Sequence, residues 1–143
     1  MDVVNELAGG LLSGLGYAAV GIVLLVLGYK VIDWVTPGNL GTLIYAERNR
    51  NAALLVASGM AGIGAVVTTA IATSHDDFLR GISSAAGYGV LGIVLLGISF
   101  RVVDRFTPGD LGLICTDPEP HPAVWVMAAT QLVLGAVLAA AIS

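Results

Sequence analysis

The sequence predicts an all-α integral membrane protein with four transmembrane helices, organised as two tandem parallel two-helix repeats. The composition supports this prediction, because 57% of the residues are hydrophobic, only 11% are charged, and the mean hydropathy is +0.91. An internal repeat supports it as well. Residues 16–41 recur without a gap as residues 87–112, identical at 14 positions, and both copies contain the same Thr-Pro-Gly motif near their ends.

Four stretches without charged side chains predict the four helices. They cover residues 7–29, 51–74, 81–100 and 122–143. Each is long enough to cross a hydrocarbon core about 30 Å thick, which takes roughly 20 helical residues. The predicted repeat units are residues 1–75, with helices at about 7–33 and 51–74, and residues 76–143, with helices at about 81–104 and 122–142. The first stretch lacks a basic start and is too long for a signal core, so we expect it to remain as a helix.

The distribution of charge predicts the orientation in the membrane. With four spans, both termini lie on one face and the connections 30–50 and 101–121 lie on the other. Five of the six basic residues lie on that second face: Lys30, Arg48, Arg50, Arg101 and Arg105. Basic residues near helix ends stay in the cytoplasm, so we expect both termini outside. The single cysteine, Cys115, is then cytoplasmic, and a membrane-impermeant maleimide should label it only after permeabilisation.

A basic residue and an aspartate three positions later recur near the ends of the first and third helices. These pairs are Lys30 with Asp33 and Arg101 with Asp104. A spacing of three places both side chains on one helix face. Acidic groups near the bilayer usually face the protein interior and pair, so these residues are candidates for a charged site. Alternatively, the base extends to the membrane surface and the aspartate only marks the helix end.

The motifs Thr36-Pro37-Gly38 and Thr107-Pro108-Gly109 follow the two aspartates. In one interpretation, the threonine is an N-cap and the proline opens a short helix. In the other, Pro-Gly forms the centre of a type II turn. Under either interpretation the segment redirects the chain, and the apolar residues after it could enter the membrane interface. Those residues are Leu40, Leu43, Ile44, Leu111 and Ile114.

Small residues form three stripes at helical spacing. They are Gly10 with Gly14; Ala57, Ala61 and Ala65; and Gly81, Ala85 and Gly89. Such stripes allow helices to approach closely in lipid. Four helices bury few faces, so we expect some stripes to contact other subunits in a homo-oligomer.

Polar groups at membrane depth are few, and Gln131 is the most informative of them. A hydroxyl can bond to its own helix, but Gln131 should instead bond across a helix interface or line a water-filled path.

The spans contain no glutamate, histidine or cysteine to relay protons or bind metal. We therefore expect no enzymatic activity, metal or cofactor, and no nucleic acid as a partner. The cluster His75-Asp76-Asp77 is a weak metal motif and is more typical of a solvated turn.

Several of these motifs resemble a known family. Asp33, the Thr36-Pro37 pair and the Asn51-Ala52-Ala53 opening of the next helix resemble the domain of unknown function 350, a family of small bacterial inner-membrane proteins with tandem two-helix repeats. The resemblance spans nearly the whole chain and implies a location in the bacterial cytoplasmic (inner) membrane. It implies no activity, because none is established for the family. Pro122 stands where the second repeat would carry its counterpart of Asn51, so a site using Asn51 would occur once per chain.

Two functions are compatible with these observations. The first is a homo-oligomeric pathway for cations or small solutes, indicated by the duplicated charged pairs, the small-residue stripes and an acidic outer face. The alternative is a non-conducting structural or accessory subunit, which docks on another membrane protein or organises lipids. A membrane-embedded enzyme is a poor third, because the spans contain no nucleophile–base pair and no set of metal ligands.

Overall fold

The computed structural model describes residues 2–73, 78–106 and 109–143, with the side chains described from residue 4 onward. The described residues form helices α1 (Asp2–Val35), α2 (Arg50–Ala72), α3 (Phe78–Phe106), α4 (Leu111–Thr116) and α5 (Pro122–Ile142). A π-helical turn, Thr42–Ala46, lies between α1 and α2. No strand occurs among these residues, which confirms the predicted all-α class.

Four of the helices, α1, α2, α3 and α5, are long and apolar enough to cross a membrane. They correspond to the four predicted spans. The largest difference is at α1, which begins at Asp2 rather than near residue 7. The charge-free stretch 7–29 predicted only the apolar part of α1. The helix itself extends through Asn5 and Glu6, because neither residue breaks helical geometry.

Helix α2 is the centre of the bundle. It packs against α1, α3 and α5, most extensively against α5. Glycines bring the two backbones into contact: a Cβ added to Gly135 of α5 would lie 2.5 Å from the Cα of Gly62 in α2. Such backbone contact is the packing mode expected where lipid provides no hydrophobic drive between helices.

The three small-residue stripes have different surroundings. Gly81, Ala85 and Gly89 are buried, and a Cβ at Gly89 would overlap the Leu24 side chain of α1. In contrast, Ala57, Ala61 and Ala65 are exposed, and a Cβ at Gly10 or Gly14 would meet nothing within 4 Å. One stripe therefore packs the bundle, whereas two face outward.

The connections after α1 and α3 fold back over one end of the bundle. Leu40 and Leu111 are 0% and 1% exposed, and both belong to a core cluster with Ile32, Leu55 and Met127. The expectation that the apolar residues of these connections enter the membrane interface is therefore wrong for Leu40, Leu43 and Leu111. The gap between the helix ends takes up these side chains, while Ile44 and Ile114 pack against the same cluster partly buried.

The first turn differs from the N-cap interpretation, and in both turns the residue after the glycine caps the next segment. Asn39 Oδ1 accepts a hydrogen bond from the Thr42 amide at 3.0 Å, and Asp110 Oδ1 accepts one from the Leu113 amide at 3.1 Å. Thr36 does not cap a helix, since its buried Oγ1 has no hydrogen-bond partner. Thr107 and Pro108 lie outside the described residues.

A glycine is required at each turn. The φ angles of Gly38 and Gly109 are +89° and +110°, a conformation that residues with a Cβ rarely adopt. A positive φ after the proline is the geometry of the type II interpretation at Gly38. The chain thus turns at the glycine, and the next residue then caps a short helical segment.

Candidate functional site

The two predicted aspartates have the same role in the structure. Asp33 Oδ1 accepts a hydrogen bond from the Leu40 amide, and Asp104 Oδ1 accepts one from the Leu111 amide, both at 2.8 Å. Each amide lies at the start of a short helical segment, where no intrahelical acceptor is available. The carboxylates therefore fasten each connection to the helix that precedes it.

One of the two interpretations paired each aspartate with the preceding base, and the described residues show no such pairing. Lys30 and Arg101 are exposed, and within the described residues no ion pair joins them to Asp33 or Asp104. The physical reason is the difference in access to water between the two kinds of donor. The amides of Leu40 and Leu111 are shielded from water and need an acceptor, whereas a long basic side chain can extend to the membrane surface.

Asn51 is the most extensively bonded of the candidate residues. It is 5% exposed, and its Nδ2 lies within hydrogen-bonding distance of three carbonyl oxygens. These belong to Ile114 at 3.3 Å, Asp117 at 3.1 Å and Glu119 at 2.7 Å. Its Oδ1 accepts a hydrogen bond from the His121 amide at 3.2 Å. One side chain at the start of α2 thus binds the whole connection between α4 and α5.

Asn49 completes this arrangement, and sequence reasoning missed it. Its Nδ2 donates to the carbonyls of Thr116 and Asp117 at 2.8 and 2.9 Å, while its Oδ1 accepts from the Ala52 amide at 2.9 Å as the N-cap of α2. An asparagine just before a predicted helix was a visible capping signal. Its second role, as a donor to the other connection, had no signal in the local sequence.

We call Asn49 and Asn51, with the carbonyls that they bind, the asparagine clamp. At the 71-residue offset their counterparts are Pro120 and Pro122, which have no amide side chain to donate. The first connection therefore cannot be held in the same way by the second half of the chain. A functional site that used Asn51 would therefore occur once per chain, and this stays a prediction.

Gln131 bonds across a helix interface, which is one of the two environments predicted for it. It is 2% exposed, and its Oε1 accepts a hydrogen bond from Ser58 Oγ of α2 at 2.7 Å. The cavity that Gln131 lines measures about 10 Å³. That volume is about the space of a single water molecule and does not form a path through the bundle.

Few groups in the described residues can carry out chemistry. No cluster of three or more metal-ligating side chains occurs among them, and His75-Asp76-Asp77 lies outside them. Cys115 is fully buried, and its pKa is raised to about 11, first by burial and then by the nearby charge of Asp104. A nucleophilic cysteine needs a thiolate at neutral pH, so Cys115 is a core residue.

The role of the aspartates predicts a graded effect of substitution. Asp33→Asn and Asp104→Asn keep an acceptor oxygen and should change the free energy of unfolding by less than about 1 kcal/mol. Asp33→Ala and Asp104→Ala leave a shielded amide without a partner and should each cost about 1–3 kcal/mol. Thermal unfolding in detergent measures this series. Equal stability of the asparagine and alanine variants would contradict the proposed fastening role.

Comparisons with known proteins agree with this architecture. A UPF0719 transmembrane protein of Mycolicibacterium paratuberculosis is 32% identical over 139 residues, covering 97% of this chain and 92% of the relative. A UPF0719 transmembrane protein of Mycobacterium bovis is 31% identical over 134 residues, covering 94% of this chain and 88% of that relative. No solved structure matches the chain. The family model named Domain of Unknown Function (DUF350) matches residues 6–142, and the chain, a transmembrane protein, therefore belongs to this family.

Proposed function

We propose that the protein is a non-conducting structural or accessory subunit of the bacterial inner membrane. One observation carries the proposal: the polar side chains that would have lined a pathway are used to hold the fold. Asp33 and Asp104 fasten the connections, Asn51 binds the α4–α5 connection, and Gln131 is bonded to Ser58. A conducting path needs such groups to face a continuous space that ions can enter.

The outward surface supports the same proposal. The side chains that the spans expose are mainly apolar, such as Val23, Val26, Val94 and Val133. Two surface grooves, of about 710 Å³ between α1 and α3 and about 700 Å³ between α3 and α5, are lined largely by apolar residues. Such surfaces suit contact with lipid or with other membrane helices.

Lateral association is part of the proposal. The stripe of Ala57, Ala61 and Ala65 is exposed on α2, and the Gly10–Gly14 pair is open on α1. Small residues on outward faces permit close contact with helices of a second copy or of another membrane protein. We therefore keep the homo-oligomer as a proposal, with another membrane protein as the alternative partner.

One observation favours a second candidate, a pathway formed between subunits. The polar side chain of Thr68 is exposed on α2, in helical register with Ala61 and Ala65. A ring of subunits could place this face on a common axis and conduct cations or small solutes there. The two functions therefore differ in whether an assembled oligomer is permeable.

Flux through liposomes distinguishes them. Purified protein in liposomes should show no cation flux above that of empty liposomes, at several voltages and pH values. Thr68→Val provides the matched variant, because valine has nearly the same shape without the hydroxyl. Flux that appears with the wild-type protein and changes in Thr68→Val would overturn the non-conducting proposal and support the pathway.

The orientation, with both termini outside, is also part of the proposal and needs an added reporter. Native Cys115 is unsuitable, because it is buried and a pKa raised from 9.0 to about 11 leaves roughly 100-fold less thiolate than an exposed cysteine at neutral pH. We therefore correct the expectation that permeabilisation alone exposes it. In a Cys115→Ala background, an impermeant maleimide should label Ser143→Cys in spheroplasts, but Glu47→Cys only after permeabilisation. The reverse pattern would invert the orientation.

A further inference from the structure

A groove between α1 and α3 remains outside the hydrogen-bond network described above. It has a volume of about 710 Å³ and lies along residues 31–35 of α1 and 93–106 of α3. Its lining is apolar except for Arg101 and Arg105. A lipid-facing groove that contains two arginines differs in kind from the groove between α3 and α5, whose lining carries no charged side chain.

The contact between α1 and α3 is looser at Gly97, beside the groove, than at Gly89. A Cβ added to Gly89 would overlap Leu24 at 2.4 Å, so the two helices touch there. At Gly97 the same Cβ would lie 3.5 Å from Val31, an ordinary van der Waals distance. Gly97 has no side chain to fill this space, which leaves an apolar floor along Val94 and Ile98.

The charge in the groove is not neutralised within the described residues. Arg101 and Arg105 lie one turn apart on α3, both exposed, and no ion pair to either is formed there. Asp104 is the acidic residue between them in sequence, and its carboxylate bonds to the Leu111 amide, so two guanidinium groups against one carboxylate leave a net positive charge at this end of the groove. Like charges at this spacing repel each other, so an anion placed between them relieves the repulsion and gains a charge-assisted bond to each guanidinium.

The aromatic residues at the same end of the groove indicate which anion fits. Trp34 and Phe106 are each 83% exposed and both line the groove. Aromatic side chains concentrate at the level of lipid headgroups. From the helix ends inward, the groove therefore presents arginines with aromatic rings and then an apolar floor. A phospholipid presents its chemistry in the same order, from a charged phosphate to hydrocarbon.

We propose that this groove binds an anionic phospholipid, with its phosphate at Arg101 and Arg105 and one acyl chain along Val94, Gly97 and Ile98. A zwitterionic phospholipid has the same phosphate and chains, but it carries a cationic group that the arginines repel. Each basic side chain near an anionic surface contributes about fivefold, so the pair should give about 25-fold selectivity. Lipid binding in this groove does not depend on whether the protein conducts ions, so the proposal goes beyond the proposed function.

The two tryptophans make the site measurable. Trp34 lines the groove, whereas Trp125 is exposed on α5 away from it. Trp125→Phe and Trp34→Phe each leave one reporter, which brominated acyl chains quench on contact. In mixed bilayers, brominated phosphatidylglycerol should compete for Trp34 about 25-fold better than brominated phosphatidylcholine, while Trp125 should show little preference. Equal quenching of Trp34 by both lipids would overturn the proposal.

Matched variants locate the selectivity. Arg101→Gln with Arg105→Gln, made in the Trp125→Phe background, should abolish the preference at Trp34. Lys30→Gln with Arg50→Gln removes two charges outside the groove lining and should leave the preference intact. A preference that survives loss of both arginines, or one that disappears equally in the control, would overturn the assignment.

Two further measurements separate a lipid from a free anion and guard against misfolding. Inorganic phosphate should not displace brominated lipid from Trp34, because it lacks the acyl chain; displacement would overturn lipid as the occupant. Val94→Phe leaves both arginines in place and fills the floor of the groove, so it should reduce the quenching of Trp34 by either lipid. Unchanged quenching in a folded Val94→Phe protein would place the lipid elsewhere and overturn the proposal.

Discussion

Gly135→Ala should destabilise the bundle by about 3 kcal/mol, at the upper end of typical overpacking effects. The added Cβ would lie 2.5 Å from Gly62 Cα and 2.7 Å from Gly62 O. Both are backbone atoms, which cannot rotate away as a side chain can. The methyl group therefore has to separate α5 from α2, the most extensive helix contact in the structure.

Gly64→Ala provides the matched control, since Gly64 lies 71 positions before Gly135 at the corresponding place in the predicted first repeat. A Cβ there would meet nothing within 4 Å. Alanine also favours a helix over glycine, so this variant should be unchanged or up to about 1 kcal/mol more stable. Thermal unfolding of both variants in the same detergent gives the comparison. Similar melting temperatures for Gly135→Ala and wild type would show that α2 and α5 do not pack as closely as described.

Asn51→Ala should cost about 3 kcal/mol and release the connection between α4 and α5. The substitution removes the donor to the Glu119 carbonyl and the acceptor for the His121 amide. Leaving one buried polar group without its partner costs roughly 1–3 kcal/mol, and the Asn51 side chain is the hydrogen-bond partner of several backbone groups. Besides lowering the melting temperature, the loss should speed hydrogen exchange at the His121 amide, which is held by Asn51 alone among the described side chains.

Two controls separate the clamp from the general loss of an asparagine. Asn39→Asp should be nearly neutral, because Asp110 already caps the corresponding segment with a carboxylate. Asn51→Asp keeps the acceptor for the His121 amide but turns an acceptor-only carboxylate toward three carbonyl oxygens, so it should destabilise at least as much as Asn51→Ala while the His121 amide stays protected. Unaltered exchange at His121 in Asn51→Ala would contradict the clamp, whatever the effect on melting.

Hydrophobic length and local turn chemistry were enough to predict the four spans and the two redirecting turns. A stretch without charge has to be hidden from water or placed in lipid, and this requirement does not depend on the partners. The glycine at each turn was also visible, since Pro-Gly restricts the backbone locally. The recurrence of the aspartates indicated that they matter, and Asp33 and Asp104 do make the same hydrogen bond to the backbone.

The sequence by itself therefore determined the membrane class, the number of spanning helices and the places where the chain turns. Only the tertiary structure decided which acceptor or donor each polar side chain meets. Asp33 bonds to an amide instead of Lys30, and Asn51 holds a connection some 63–70 residues away. It also decided that the Gly81–Gly89 stripe is internal while Ala57–Ala65 faces outward. The physical reason is that the packing of all neighbouring helices together determines which face of a helix is buried, and a local sequence pattern does not contain that information.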